Sequence, residues 1–333
     1  MNWYKEIPKI ELHIHLEGAI PHQTMWQLIQ KYGGDKTTKT YNQLLKKFEY
    51  RNFSQFIEVW SWKNQFLREY EDFTLIARSV ADDLANQNIK YAEMFYSPSL
   101  FKKNKLQTQY ITESISKGFN KIKDLKIRLI ADLVRDYGPD NENITLEEVN
   151  EVKELGVIGI GIGGSEHQFP PEPFDKLFEK ARKYGFYTNA HAGEAAGPES
   201  IWGTIENLHV DRIGHGTRAG EDKELLDYLA RTRLPLEVCP LSNIKTNVVK
   251  SPQDHPVKKF YEHGILMSIN TDDPKMFGNS LEMEYQFLEN EIGFSKEEIC
   301  LLILQGIQTS WMDEKDKEKL INEFHSHPCW KCS

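Results

Sequence analysis

The 333-residue chain is poor in cysteine and lacks both a long apolar run and a basic stripe. Its four cysteines are too few to suggest a disulfide framework. No run approaches the roughly 20 apolar residues of a membrane helix, and the first residues lack the apolar segment of a secretory signal. The 41 basic residues are outnumbered by 50 acidic ones and do not interleave with aromatic residues. These absences predict a cytoplasmic protein that binds neither membranes nor nucleic acids.

The chain also lacks a linker rich in proline, glycine or serine, an internal repeat and a low-complexity tract. Hydrophobic residues make up 39% of it, which is enough to bury a large core. Length alone would allow one barrel or two ordinary domains. Because no linker divides the sequence, we predict a single domain over residues 1–333.

Eight stretches have the pattern of β-strands, and helical patterns separate nearly all of them. This alternation predicts the α/β class and a single-domain (β/α)8 TIM barrel, with a long helical insertion after the first strand. We also predict a helix from residue 145 to 155, because Thr145 and Glu148 are spaced as a capping box. The predicted strands cover residues 8–18, 89–96, 127–134, 157–163, 186–191, 212–215, 234–239 and 265–270.

Apolar and polar residues alternate from Ile10 to Glu17 in the first strand. His13 and His15 therefore point to the same side, one pleat apart. Two imidazoles at the end of a strand can hold one metal between them. The same pattern fits a half-exposed strand whose polar face carries two histidines, so the pair needs partners elsewhere in the chain.

Such partners occur at the predicted carboxyl ends of the other strands, where the active site of this kind of barrel lies. His13, His15, His191 and one aspartate after strand eight form a set of three nitrogens and one oxygen suited to zinc. Bound zinc lowers the pKa of water from about 15.7 to roughly 7. The polar residues at the strand ends are His13, His15, Glu17, Glu166, His191, Glu194, His215, Ser242, Asn243, Asp272 and Asp273, and Gly164 ends the fourth strand.

Further side chains in this set have the chemistry of acid–base catalysis. His215 could orient the water and take its proton, and Glu194 could meet a heteroaromatic nitrogen. By itself, Asp272-Asp273-Pro274 fits a helix N-cap or a turn, but three convergent histidines favour a site. The fourth strand ends without a lysine that could bridge two metals, so we predict one Zn²⁺ per chain.

Two other patterns resemble binding motifs. Gly159-x-Gly161-x-x-Gly164 matches the dinucleotide fingerprint, but no helix pattern follows it. His325-x-His327-Pro-Cys329-x-x-Cys332 has metal-ligand spacing, but it lies at the end of the chain. Neither pattern is favoured as a functional site.

Five motifs, in order along the chain, resemble the adenosine deaminase family of amidohydrolases. The resemblance extends from about residue 8 to residue 312, and the five motifs together are highly specific. They are Pro8-Lys-Ile-Glu-Leu-His-Ile-His-Leu-Glu-Gly18, His191-Ala-Gly-Glu194, Arg212-Ile-Gly-His-Gly216, Cys239-Pro-Leu-Ser-Asn243 and Asn270-Thr-Asp-Asp-Pro274.

The resemblance implies hydrolytic loss of ammonia from C6 of a purine nucleoside, a small-molecule substrate. It implies that zinc is held by four ligands, which are His13, His15, His191 and Asp272. Glu194 would protonate N1, His215 would act on the attacking water, and Asp273 would contact N7. Gly164 would meet N3 through its backbone, and Glu17, beside His15, would face the 5′-hydroxyl of the ribose.

The exact substrate is less sharply implied. Glu17 stands where many adenosine deaminases have an aspartate. Together with the Cys239-Pro-Leu-Ser-Asn-x-Lys245 run, it resembles the adenine deaminase branch. Thr271 and the Ile213-Gly-His215 run are more similar to the nucleoside branch. Adenosine or 2′-deoxyadenosine is the leading expectation, and adenine or 6-aminodeoxyfutalosine, a 5′-extended adenosine, is the alternative. A 5′-phosphate is disfavoured because Glu17 would repel it.

The insertion after the first strand is expected to cover the barrel mouth. Phe53, Phe56 and Trp60 share one helical face and would bind substrate there, although an amphipathic helix packed on the core would show the same stripe.

Two other functions remain open at this point. One is a phosphoesterase, which would need a second metal, and the other is a receptor-like protein that has lost catalysis.

Overall fold

A computed structural model describes residues 2–50, 53–120, 122 and 124–330, with only the backbone for the first two residues of the helix that begins at Phe53. Its sheet has eight strands, and each pairs in parallel with the next along the chain. The strands are β1 (Lys9–His15), β2 (Ile89–Tyr96), β3 (Lys126–Val134), β4 (Val157–Gly163), β5 (Tyr187–Ala192), β6 (Arg212–His215), β7 (Leu236–Val238) and β8 (Met267–Ile269).

Helices follow the strands and surround the sheet, which confirms the predicted (β/α)8 barrel. Within the described ranges they are α1 (Trp3–Glu6), α2 (His22–Lys31), α3 (Tyr41–Lys47), α4 (Phe53–Asn64), α5 (Tyr70–Asn86), α6 (Thr108–Phe119), α7 (Gly138–Asn150), α8 (Asp175–Lys183), α9 (Pro198–Gly203), α10 (Lys223–Thr232), α11 (Pro240–Lys245), α12 (Val257–Glu262), α13 (Pro274–Phe277), α14 (Leu281–Phe287), α15 (Lys296–Thr309) and α16 (Glu314–His325). None of the helices described is long and apolar enough to cross a membrane.

The barrel closes between its last strand and its first. Ile14 of β1 pairs in parallel with Asp272, just beyond β8. The His15 amide donates to the Asp272 carbonyl at 2.9 Å, and the Asp272 amide donates to the His13 carbonyl at 3.0 Å. The backbone that closes the barrel therefore sets the positions of both histidines relative to Asp272.

The helices between β1 and β2, and the start of α7, bear on two predictions made from the sequence. The helical insertion after the first strand is confirmed, because α2, α3, α4 and α5 all lie between β1 and β2. The capping box at Thr145 is wrong. The helix begins earlier, at Gly138 with Pro139 in its first turn, so Thr145 is buried inside α7. Proline is tolerated in the first turn of a helix because the N–H groups there have no helical partner.

Aromatic side chains crowd the space beside β4, which explains the glycines of this strand. A Cβ on Gly159 would lie 2.5 Å from a ring atom of Trp311, and one on Gly161 would lie 2.7 Å from a ring atom of Phe95. Those glycines make room for aromatic side chains that fill the barrel. The dinucleotide-like spacing therefore has a packing cause.

Candidate active site

Four of the predicted metal-binding side chains converge at the carboxyl end of the barrel. The Nε2 atom of His15 lies 3.2 Å from Nε2 of His191 and 3.4 Å from Oδ1 of Asp272. The Nε2 atom of His13 lies 3.7 Å from the same Asp272 oxygen. All four residues are buried.

Each of three ligand candidates has its other polar atom held by a neighbour. Nδ1 of His13 lies 2.7 Å from Oε2 of Glu237, and Nδ1 of His191 lies 3.2 Å from the Ile162 carbonyl. The Ser242 hydroxyl donates to Oδ2 of Asp272 at 2.6 Å. Such outer contacts fix the ring or carboxylate orientation and leave one atom of each residue for a metal.

This donor set fits a single metal ion. Nε2 of His13 is buried and has no hydrogen-bond partner in the described part of the chain. Four ligands at about 2.0–2.1 Å from a tetrahedral zinc would lie about 3.3 Å from one another, close to the spacings of His15, His191 and Asp272. Burial holds the pKa of His13 and of His191 well below the usual range, so both imidazoles are neutral, the form that binds metals.

His215 belongs to the same cluster. Ligand atoms of His13, His191, His215 and Asp272 all lie within 4.8 Å of one another. The amide of Asn243 lies 3.4 Å from Nδ1 of His215, so the other ring nitrogen faces the cluster. The Ser-Asn pair of the Cys-Pro-Leu-Ser-Asn motif therefore positions two site residues, Asp272 through Ser242 and His215 through Asn243.

The backbone at these positions is unusual. His215 and Asp272 have φ values of +60° and +64°, which lie in a backbone region that residues other than glycine rarely adopt. Neighbouring glycines are also required. A Cβ on Gly18 would lie 1.7 Å from Oδ1 of Asp273, and one on Gly214 would lie 2.9 Å from the His13 ring. The glycines of two sequence motifs thus make room for site side chains.

Asp273 occupies the N-cap position of α13, and its side chain is buried. Its side chain makes no capping hydrogen bond to α13, although it occupies the N-cap position. Its Oδ1 atom has no partner among the described residues. Asp273 thus has the N-cap position that the sequence suggested, but its carboxyl group does not cap the helix and is available to a ligand.

Glu194 is held by a residue whose role the sequence did not reveal. The buried carboxylate of Glu166 accepts four consecutive backbone N–H groups, from Gly193 at 2.5 Å, Glu194 at 3.1 Å, Ala195 at 2.7 Å and Ala196 at 3.0 Å. Burial raises the pKa of Glu194 to about 8, and the charge of Glu166 contributes in the same direction. Glu194 is therefore a carboxylic acid at neutral pH, with Oε2 3.5 Å from Nε2 of His215.

These groups line a cavity of about 320 Å³, within the size range of small-molecule sites. His15, His191, Glu194, His215, Asp272, Asp273 and Gly164 all contribute to its wall. A positive φ of +109° at Gly164 favours glycine in this turn. Glu17 is buried beside the cavity, and its Oε1 accepts the amide of Ser97, another wall residue.

Helix α4 supplies the aromatic side of the cavity. Phe56 and Trp60 both line it, and the Trp60 ring centre lies 6.2 Å from that of His15. Phe56 stacks on Phe277 at 5.2 Å. The predicted contribution of Phe53 concerns a side chain outside the described residues. Lys63 on the same helix was not predicted, and its ammonium lies 4.1 Å from the Trp60 ring centre.

The C-terminal pattern of histidines and cysteines falls only partly within the described residues. Cys329 is a free, buried cysteine, whereas Cys332 lies outside the part of the chain that the structure describes. The metal-site alternative for this tail therefore stays a prediction.

Comparison with known proteins identifies the family. The model of the adenosine deaminase family matches residues 8–327. The chain belongs to the adenosine deaminase family.

Relatives of similar identity carry three different names. The chain is 33% identical to an adenosine deaminase of Vibrio cholerae, covering 95% of this chain and 96% of the relative. It is 30% identical to an aminodeoxyfutalosine deaminase of Streptomyces coelicolor, covering 96% and 84%. It is 29% identical to an adenine deaminase of Acinetobacter baylyi, covering 96% and 97%. The names of these relatives agree on a deaminase and differ in its substrate.

Solved structures agree with this assignment. An adenine deaminase from Arthrobacter aurescens superposes with a TM-score of 0.89 at 26% identity, covering 96% of this chain and 98% of that one. An amidohydrolase from Burkholderia ambifaria, determined with bound zinc, superposes with a TM-score of 0.88 at 25% identity, covering 97% and 90%. The chain thus has the barrel of an amidohydrolase-type deaminase, with a cluster that could hold a metal.

Proposed function

We propose that the protein is a zinc-dependent deaminase of adenosine or 2′-deoxyadenosine. In this reaction water replaces the 6-amino group with a 6-oxo group, and ammonia is released. The observation that carries the proposal is the convergence of His13, His15, His191 and Asp272 beside Glu194 in one cavity. When bound there, zinc would supply a water activated at neutral pH.

Glu194 would act as the general acid toward N1 of the purine. A protonated carboxyl group is needed for this, and the raised pKa of about 8 supports its presence at pH 7. The nearby His215 would orient the attacking water and accept its proton. Burial lowers the pKa of His215, so its imidazole begins the reaction neutral, as a base must.

The remaining wall residues would hold the substrate. Asp273 would contact N7, and its buried Oδ1 atom, which has no partner among the described residues, supports this role. Gly164 would meet N3 through its backbone, and Glu17 would face the 5′-hydroxyl. Phe56 and Trp60 would close over the nucleoside, with Phe53 as a further candidate on the same helix.

Adenine deamination and aminodeoxyfutalosine deamination are the alternatives, because relatives of nearly equal identity carry those names. The experiment is to measure ammonia release from adenosine, 2′-deoxyadenosine, adenine and 6-aminodeoxyfutalosine, with the metal content of the same sample. The proposal expects the highest kcat/KM for adenosine or 2′-deoxyadenosine and about one zinc per chain. A higher kcat/KM for either alternative substrate would replace the proposed substrate but keep the reaction.

We further propose that the protein is a single domain over residues 1–333 and acts in the cytoplasm. The family match over residues 8–327 supports the first statement. The second rests on the composition, chiefly on the small number of cysteines.

A further inference from the structure

Ser97, in the cavity wall, donates hydrogen bonds to two buried carboxyl groups, those of Glu17 and Asp132. The Ser97 amide donates to Oε1 of Glu17 at 3.0 Å, and its hydroxyl donates to Oδ2 of Asp132 at 3.0 Å. The second oxygen of each, Oε2 of Glu17 and Oδ1 of Asp132, has no hydrogen-bond partner in the described structure. Glu17 is 1% exposed and Asp132 is 5% exposed. Buried acceptors without a donor are costly unless a ligand supplies one.

Asp132 belongs to the cavity wall itself. It lies on β3, in an otherwise apolar run, and its side chain packs against the inner face of β4. A Cβ on Gly163 would lie 3.0 Å from Oδ2 and 3.2 Å from Oδ1 of Asp132. The glycine therefore leaves the space that this carboxyl group occupies, next to Gly164 in the same wall.

The charge of the wall restricts what can bind beside Asp132. Five carboxyl groups line the cavity, and none of the described lining residues is a lysine or an arginine. The guanidinium of nearby Arg135 is engaged by the carbonyls of Phe169 and His191. The Lys63 ammonium is held by the carbonyl of Glu17 and by Asn64.

A substrate carboxylate or phosphate would thus lose its water without gaining a cation from the wall. A hydroxyl group, in contrast, can donate a hydrogen bond to an unpartnered carboxyl oxygen. Burial raises the pKa of Asp132 to about 8, with Glu17 contributing in the same direction. Burial disfavours further negative charge beside the pair, so a neutral polar group is the ligand that suits it.

We propose that Asp132 is a specificity-determining residue that accepts a hydrogen bond from a secondary hydroxyl of the substrate ribose. The preferred substrate is then an uncharged purine nucleoside. Free bases lack the hydroxyl, and nucleosides extended by a carboxylate or phosphate would meet the acidic wall. This inference rests on the proposed deaminase function and adds the part of the substrate that the wall recognises.

The test compares kcat/KM for adenosine, 2′-deoxyadenosine, 3′-deoxyadenosine, AMP and free adenine in the wild type and in Asp132→Ala. In the wild type, one of the two deoxynucleosides should be at least about tenfold poorer than adenosine, because a site built to bind a hydroxyl rejects an analogue without it. Asp132→Ala should lower kcat/KM for adenosine to the level of that analogue. The same substitution should change kcat/KM for that analogue and for free adenine by less than about twofold.

A second variant and a matched control separate recognition from folding. Asp132→Asn keeps the shape and one acceptor oxygen, so it should retain part of the discrimination even if the alanine variant does not fold. Asp136 also lines the cavity, but its two oxygens accept the Ser165 hydroxyl at 2.6 Å and amide at 2.8 Å. Asp136→Asn should therefore change kcat/KM by the same factor for all the nucleosides.

Three results would overturn the inference while leaving the deaminase function in place. The first is that both Asp132 variants lower kcat/KM for adenosine and for both deoxynucleosides equally. The second is a wild type that deaminates free adenine better than adenosine. The third is a kcat/KM for AMP equal to that for adenosine. Release of ammonia from none of these purines would overturn the inference together with the proposed function.

Discussion

Replacing Glu166 by glutamine tests whether this residue positions and tunes the proposed acid. Its Oε1 accepts the Gly193 amide, and its Oε2 accepts the amides of Glu194, Ala195 and Ala196. A glutamine can keep only one acceptor oxygen. The orientation that keeps the most hydrogen bonds places the glutamine oxygen toward the amides of Glu194, Ala195 and Ala196. Its NH₂ group then lies against the buried Gly193 N–H.

The magnitude follows from these contacts. The Gly193 N–H loses its partner in a buried position, which costs about 1–3 kcal/mol. The three remaining bonds become neutral and weaker, but Ala195 is exposed and water can compensate there. The negative charge that helps to raise the pKa of Glu194 disappears, so that pKa falls from its value of about 8. We expect a loss of roughly 1–3 kcal/mol in unfolding free energy and a weaker acid function at alkaline pH.

The assay is kcat/KM for adenosine as a function of pH, together with thermal melting. Glu194 must be protonated to donate, so activity should fall as the pH rises through its pKa. In Glu166→Gln this fall should begin at a lower pH than in the wild type. Glu199→Gln is the matched control, because Glu199, in the exposed first turn of α9, accepts a single amide from the described residues, that of Gly197 at 3.1 Å. A reduced stability with an unchanged alkaline limb would refute the electrostatic part of this reasoning.

Three further substitutions test the proposed ligands, acid and lid. His13→Ala should lose metal and activity together, because a tetrahedral set would miss one ligand; full metal occupancy would remove His13 from the set. Glu194→Gln should retain zinc while kcat falls ~10²–10⁴-fold, and near wild-type turnover would mean that another group is the acid. Trp60→Ala should raise KM for adenosine ~3–10-fold with little change in melting temperature. A large drop in melting temperature with unchanged KM values would make Trp60 a core residue.

The fold and the position of the cluster were accessible from sequence because both follow from periodic patterns. Parallel barrel strands end at one face, so polar residues at successive strand ends must meet there. β2, β4 and β6 have the predicted limits, whereas β7 and β8 are shorter than predicted. The alternation in β1 suggested an exposed face, but all seven of its residues are buried. A barrel strand packs against side chains inside and helices outside.

The outer contacts were not accessible in the same way. From the sequence, Glu166 was one more polar residue at a strand end. The four amides that it binds come close to its carboxylate only when the loop after β5 folds over it. Asp132 did leave a signal, since a lone aspartate in an apolar strand needs a partner or a ligand. The positive φ values of His215 and Asp272 arise from tertiary constraints and have no sequence pattern of their own.

Purine deamination by this protein should require one zinc, held by one cluster of side chains. The most direct measurement is zinc content and ammonia release from adenosine on the same sample, before chelation, after chelation and during titration with zinc. We predict about one zinc per chain, loss of ammonia release on chelation and full recovery at one equivalent. Full activity of the metal-free chain, or a requirement for a second metal, would contradict the account.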